Sequence, residues 1–159
     1  MPDRDRAHAG AVRLGRGVLA RSSIIGWALR LGTAAALAIS AAVHAGNAAA
    51  YDDPQVILSQ GRLFRLEAGV ACAAALLVLI RPRLGSWIVA LLVAASALGA
   101  VLLYRYVDVG SLGPLPDMYE NTWQVPGKLL SAYAEGAAVV LALLGLLWSL
   151  PRSGASRGR

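Results

Sequence analysis

Four long apolar runs constrain this chain more than any motif in it. They cover residues 31–50, 63–80, 84–104 and 129–150, and short arginine-bearing or acidic segments separate them. Each is long enough to cross a hydrocarbon layer of ~30 Å at the ~1.5 Å rise of a helical residue. A water-soluble four-helix bundle needs a polar face on each helix. The second run has none beyond Glu67, because Leu66, Val70, Leu76, Leu77, Val78, Leu79 and Ile80 are interrupted mostly by alanine. With 57% hydrophobic residues, 15% charged residues and a mean hydropathy of +0.58, such a bundle in water would expose too much apolar surface. The expected fold is all-α: a transmembrane up-down-up-down four-helix bundle, multi-pass in the plasma membrane, with both termini cytoplasmic.

Charge sets the orientation. Fourteen of the fifteen basic residues are arginine, and eleven of them fall on the side of both termini: Arg4, Arg6, Arg13, Arg16, Arg21, Arg30, Arg81, Arg83, Arg152, Arg157 and Arg159. Only Arg62, Arg65, Arg105 and Lys128 fall on the other, together with Asp52, Asp53, Asp108, Asp117 and Glu120. Basic residues collect on the cytoplasmic side, so the net charge of +6 reads as topogenic and no nucleic-acid partner is implied. Trp27, Trp87 and Trp148 fall near the predicted inner interface, and Tyr51, Tyr104, Tyr106, Tyr119 and Trp123 near the outer one. Residues 1–23 read as a basic, disordered cytoplasmic arm, 24–150 as the transmembrane domain and 151–159 as a basic tail. The Arg81-Pro82-Arg83 connection makes the second and third helices antiparallel neighbours. A rival reading treats the first run as a secretory signal cleaved after Ala48-Ala49-Ala50, leaving three helices in the same orientation.

Cys72, the single cysteine, excludes an intramolecular disulfide and reads as a small packing residue. Small residues four apart let helices approach closely in lipid. Gly32, Ala36, Ser40 and His44 form such a stripe on the first helix, with Gly69 and Ala73, Ala95 and Gly99, and Ala132 and Gly136 on the others.

The chemistry-bearing residues gather in the outer half. His44, Glu67 and Glu135 lie inside the apolar runs, where a charge costs about 2.5–3.5 kcal/mol on insertion scales and needs a partner or a watery cavity. One reading is an outward pocket bounded by His44, Glu67, Glu135 and Arg105 that takes a proton, a metal ion or a small polar ligand. The other pairs the acids with Arg62, Arg65 or Arg105 as interhelical ties. One histidine and two acids on three helices form no metal motif, and no cofactor is implied. Residues 105–127 form a long connection with Pro114, Pro116 and Pro126, read either as a solvated linker anchored by its aromatic residues or as a dock or cap over the polar cluster.

The stretch from Val43-His44 through Gly61-Arg62-Leu63-Phe64-Arg65-Leu66-Glu67 to Arg81-Pro82-Arg83 resembles small four-helix membrane proteins of actinobacteria, loosely similar to the DoxX-like proteins in size and layout. The resemblance implies an integral protein of the plasma membrane and carries no activity.

Three functional classes follow. The first is a structural or accessory subunit that contacts the lipid bilayer and associates with a membrane-protein partner or a second copy of itself. The second is a small carrier, or ligand- or proton-binding protein, using the outer polar cluster. The third is a membrane enzyme with Glu67 or Glu135 as base and His44 as acid, weakened by the lack of an accompanying nucleophile or metal triad.

Overall fold

The computed structural model describes the backbone of residues 3–150 and side chains from residue 24 to residue 150. Four helices fill this part of the chain: α1 (Asp3–Asn47), α2 (Gln60–Ile80), α3 (Leu84–Tyr106) and α4 (Lys128–Ser149), with a single 3₁₀ turn at Ala48–Tyr51. Over Ile24–Tyr51, Gln60–Ile80, Leu84–Tyr106 and Lys128–Ser149 they are long and apolar enough to cross a membrane. The first span begins seven residues before the run that starts at Leu31, because Arg30 interrupts the apolar pattern but not the helix. α1 begins at Asp3, and of the arm expected at residues 1–23 only the backbone from Asp3 onward is described. The side chains of residues 1–23 and the expected tail, 151–159, lie outside the described residues.

Local chemistry fixes the helix ends. Ser59 caps α2, its Oγ accepting from the Arg62 amide at 3.3 Å. Gly127 opens α4 at φ +76, a left-handed conformation that side chains other than glycine resist. Leu150, which follows α4, is extended, as a residue preceding proline should be.

α1 packs on α2 and α4, and α3 packs on α4 and α2. The interior is built from small residues: Ala71, Ala74, Ala90, Ala94, Ala138 and Ala142 are all essentially inaccessible. Leucines point the other way, with Leu66, Leu76, Leu92 and Leu147 more than half exposed. Thr33, Ser40, His44, Ser86, Ser131 and Glu135 are instead buried. Polar groups inside and long aliphatic chains outside suit a bundle whose solvent is lipid, held by close backbone approach rather than by hydrophobic exclusion.

The small-residue stripes divide accordingly. Ala36, Ser40 and His44 are buried against neighbouring helices, while Gly69, Ala73, Ala95 and Gly99 are exposed. Cys72 is exposed as well, so it does not pack inside the bundle as its apolar surroundings in the sequence led us to expect.

The two ends of the bundle differ in chemistry. At one end Arg30 Nη2 donates to the Leu79 carbonyl of α2, and the Trp87 ring of α3 lies against Gly145 of α4. At the other end the 3₁₀ turn, the start of α2, the end of α3 and the connection 107–127 meet around His44, Tyr51 and Phe64.

Candidate functional site

α1 supplies the centre of the site through residues one helical turn apart. Ser40 and His44 fall on the same face. The Ser40 hydroxyl donates to Glu135 Oε1 of α4 at 2.9 Å, and His44 Nδ1 donates to the Ser40 carbonyl at the same distance. His44 Nδ1 is 3.9 Å from Glu135 Oε1. Because Nδ1 carries the proton in that backbone bond, Nε2 is the basic nitrogen of the neutral ring. Glu135 is fully buried, and its second oxygen, Oε2, makes no hydrogen bond.

Serine, histidine and glutamate together bring an acyl-transfer triad to mind, but the connectivity differs. In a triad histidine stands between the nucleophile and the acid. Here the serine hydroxyl donates to the acid directly, and its Oγ lies 3.4 Å from His44 Nδ1.

Glu67 enters from α2. It lines the same cavity as His44. Glu67 Oε1 is buried without a hydrogen-bond partner. The structure therefore brings His44, Glu67 and Glu135 together, and Arg105 stands apart. Its guanidinium lies over the rings of Tyr106 and Trp123, at 5.0 and 5.5 Å from their centroids. A flexible cation at the end of α3 meets aromatic faces of the following connection before it can reach the acids.

The expected arginine ties to the buried acids are not formed. Arg65 forks onto Asp52, Nη1 to Oδ1 at 2.9 Å and Nη2 to Oδ2 at 2.5 Å, and Arg62 donates to the Ile57 carbonyl. Both arginines leave α2 toward the 52–59 segment, on faces that Glu67 does not share. Asp52, held by the Arg65 fork and by Ser59 Oγ at 3.1 Å, has its carboxyl pulled below the usual range, chiefly by the arginine. Gly61 sits beneath this latch, where a Cβ would run into the Ala48 carbonyl and come within 2.7 Å of Asp52 Oδ1.

Glu67 and His44 line a cavity of about 300 Å³. Its wall is mostly apolar and aromatic, including Leu63, Phe64, Val101 and Tyr104. The Phe64 ring stands edge-on to both His44 and Tyr51, each pair at 5.2 Å between centroids. Glu135 does not line the cavity. It sits behind Ser40 and His44.

The connection 107–127 folds back over the cavity, contributing Met118, Glu120 and Val125 to its lining, so it is a cover rather than a solvated linker. Gly113 and Pro114 turn the chain between Leu112 and Leu115, which exchange backbone hydrogen bonds. Glu120 then pins the cover. Its amide donates to the Tyr104 carbonyl at 2.9 Å, its Oε1 accepts from Tyr51 at 3.0 Å, and Lys128 Nζ donates to its carbonyl at 2.7 Å and to its Oε2 at 3.3 Å. Ser40, Tyr51, Glu120 and Lys128 were not identified as site residues from the sequence. Only Ser40 left a signal there, its spacing of four from His44.

Among the described residues, no group of three or more His, Cys, Asp or Glu side chains is arranged to hold a metal ion. Compared with protein-family models, curated proteins and solved structures, the chain gives no match.

Proposed function

We propose that the protein is a small multi-pass protein of the plasma membrane that binds an amphipathic ligand beneath the 107–127 cover, and that the Glu67 carboxylate there exchanges a proton for it. The observation that carries this reading is the meeting of an apolar, aromatic-walled cavity with Glu67, whose buried Oε1 has no hydrogen-bond partner and which forms no ion pair with an arginine or lysine among the described residues. The aliphatic wall suits a ligand's apolar body, and a cationic end satisfies the carboxylate. Lys128, the one cation lining the cavity, is already committed to Glu120. Cation and proton compete for the Glu67 carboxylate, so uptake of one releases the other. The arginine asymmetry orients the bundle, with alternating helices, the cavity facing outward and both termini cytoplasmic. The layout resembles that of the DoxX-like proteins.

Equilibrium binding of tetraphenylphosphonium to the purified full-length protein tests this. The wild type binds saturably and releases protons into a weakly buffered medium, and Glu67→Gln weakens binding about tenfold or more through loss of one charge-assisted contact. Equal affinity in a normally folded Glu67→Gln protein contradicts the reading.

A second reading, an accessory subunit or homo-oligomer, draws on the exposed Gly69 and Gly99, at both of which a Cβ would meet open space. Close approach by a foreign helix is favoured at such positions. Recovery of a lone monomer from mild detergent, with no partner, counts against it.

A further inference from the structure

The end of the bundle remote from the cavity holds a second concavity, a crevice of about 250 Å³ lined by Trp27, Arg30, Pro82, Trp87 and Trp148 among others. Two of its lining residues carry donors without an acceptor: Arg30 Nε and Trp87 Nε1 are both buried and make no hydrogen bond. Trp87 is only 3% exposed, so bulk water does not satisfy its indole N–H. Orphaned buried donors are uncommon, and two on one crevice are a specific demand for acceptors.

The surroundings define the acceptor. Among the described residues no carboxylate lines the crevice, and the hydroxyl there, Ser149, is turned to the Gly145 carbonyl at 2.8 Å. The Arg30 guanidinium is held in place by its bond to the Leu79 carbonyl and by stacking over Trp27 at 3.9 Å, so its Nε is presented without further ordering of the side chain. Arg81 and Arg83 flank the lining Pro82 in sequence and add positive charge to this end of the bundle. A fixed guanidinium and an indole N–H, with cations around them and no acid, suit an anion that accepts several hydrogen bonds and donates none.

We propose that this crevice is a binding site for a phosphate group, with Arg30 Nε and Trp87 Nε1 donating to its oxygens. Its position favours a phospholipid headgroup as the source. Three tryptophans mark the head-group level, and Ile24, Leu84 and Ile88, at 67%, 42% and 41% exposure, offer apolar surface to acyl chains. The site is independent of the cavity and of the ligand proposed for it.

Native mass spectrometry of the full-length protein, titrated with phosphatidylglycerol and with diacylglycerol of the same chains, tests the proposal. The wild type binds phosphatidylglycerol in preference to diacylglycerol, and Arg30→Gln and Trp87→Phe each weaken that binding about tenfold, the loss of one hydrogen bond to a charged group. Trp87→Phe keeps an aromatic ring at this position while removing the indole N–H, so it decides the matter if Arg30→Gln fails to fold. Competition by inorganic phosphate that vanishes in Trp87→Phe supports the site with soluble phosphate as its source. No such competition, together with weakened lipid binding in the variants, supports it with lipid as the source. Equal binding of the two lipids by the wild type, or unchanged phosphatidylglycerol binding in Trp87→Phe, overturns it.

Discussion

The Ser40 hydroxyl donates to Glu135 Oε1 across the α1–α4 interface at 2.9 Å, and this is the only hydrogen bond that the fully buried carboxylate receives among the described residues. One short bond thus fixes both the position of the acid and the α1 face that carries His44. Ser40→Ala leaves both carboxylate oxygens without a donor and is expected to destabilise the bundle by about 1–2 kcal/mol. Thermal unfolding in detergent measures it, and Ser40→Thr, which keeps the hydroxyl, recovers part of the loss.

Steric fit at the cavity end separates the glycines. A Cβ at Gly61 meets backbone atoms of Ala48 and Asp52, and one at Gly127 falls 2.7 Å from Val43 Cγ1 at a backbone φ of +76. Gly61→Ala and Gly127→Ala should each cost about 1–3 kcal/mol, since neither backbone nor φ adjusts easily. Gly99→Ala, which enters open space on a helix face, should be neutral or stabilising by up to about 1 kcal/mol. Unfolding midpoints of the three variants supply the comparison.

The Asp52–Arg65 latch carries a pH dependence of known sign. The folded carboxyl titrates below its ordinary 3.8, so its contribution is fully present above that value and is lost as pH falls through the depressed one. Both partners are largely exposed, so the effect is small. The stability difference between wild type and Asp52→Asn should be constant near neutrality and shrink below pH 3.8, read from unfolding midpoints across an acid series.

Lys128 holds the cover through the Glu120 carbonyl and carboxylate, while Tyr51 holds the other oxygen of the same carboxylate. Lys128→Met should loosen residues 107–127, seen as faster proteolysis within that segment and faster release of tetraphenylphosphonium. Tyr51→Phe should do the same to a smaller degree. Because both act on Glu120, their combination should depart from additivity by about 0.5 kcal/mol or more.

Much of this architecture is legible in the residue pattern, because a span must be apolar along its length and breaks at Arg81-Pro82-Arg83 and Gly127 interrupt that pattern visibly. The sequence places His44, Glu67 and Glu135 in the outer half of the spans but leaves open whether their side chains meet, which the structure answers with the 3.9 Å approach of His44 to Glu135 and the cavity shared by His44 and Glu67. What the pattern conceals is side-chain reach. Arg105 lies near the right depth, yet its side chain rests on Tyr106 and Trp123, and Arg65 finds Asp52 across the 52–59 turn. Folding of the 107–127 segment over the cavity depends on Glu120 meeting Tyr51, Tyr104 and Lys128, contacts between segments that no periodicity encodes. Arg30 reads in the sequence as the last residue before the membrane, but it lies within the first span and reaches the Leu79 carbonyl.

The central claim is that Glu67 presents its carboxylate to a cavity that admits apolar molecules. Labelling with dicyclohexylcarbodiimide, an apolar reagent that attacks carboxyl groups, tests it most directly when the modified residue is located by peptide mass mapping. Modification is expected at Glu67, slowed by tetraphenylphosphonium and abolished in Glu67→Gln. An unmodified Glu67 in the folded protein, or labelling at Glu67 that tetraphenylphosphonium leaves unchanged at saturation, would contradict it.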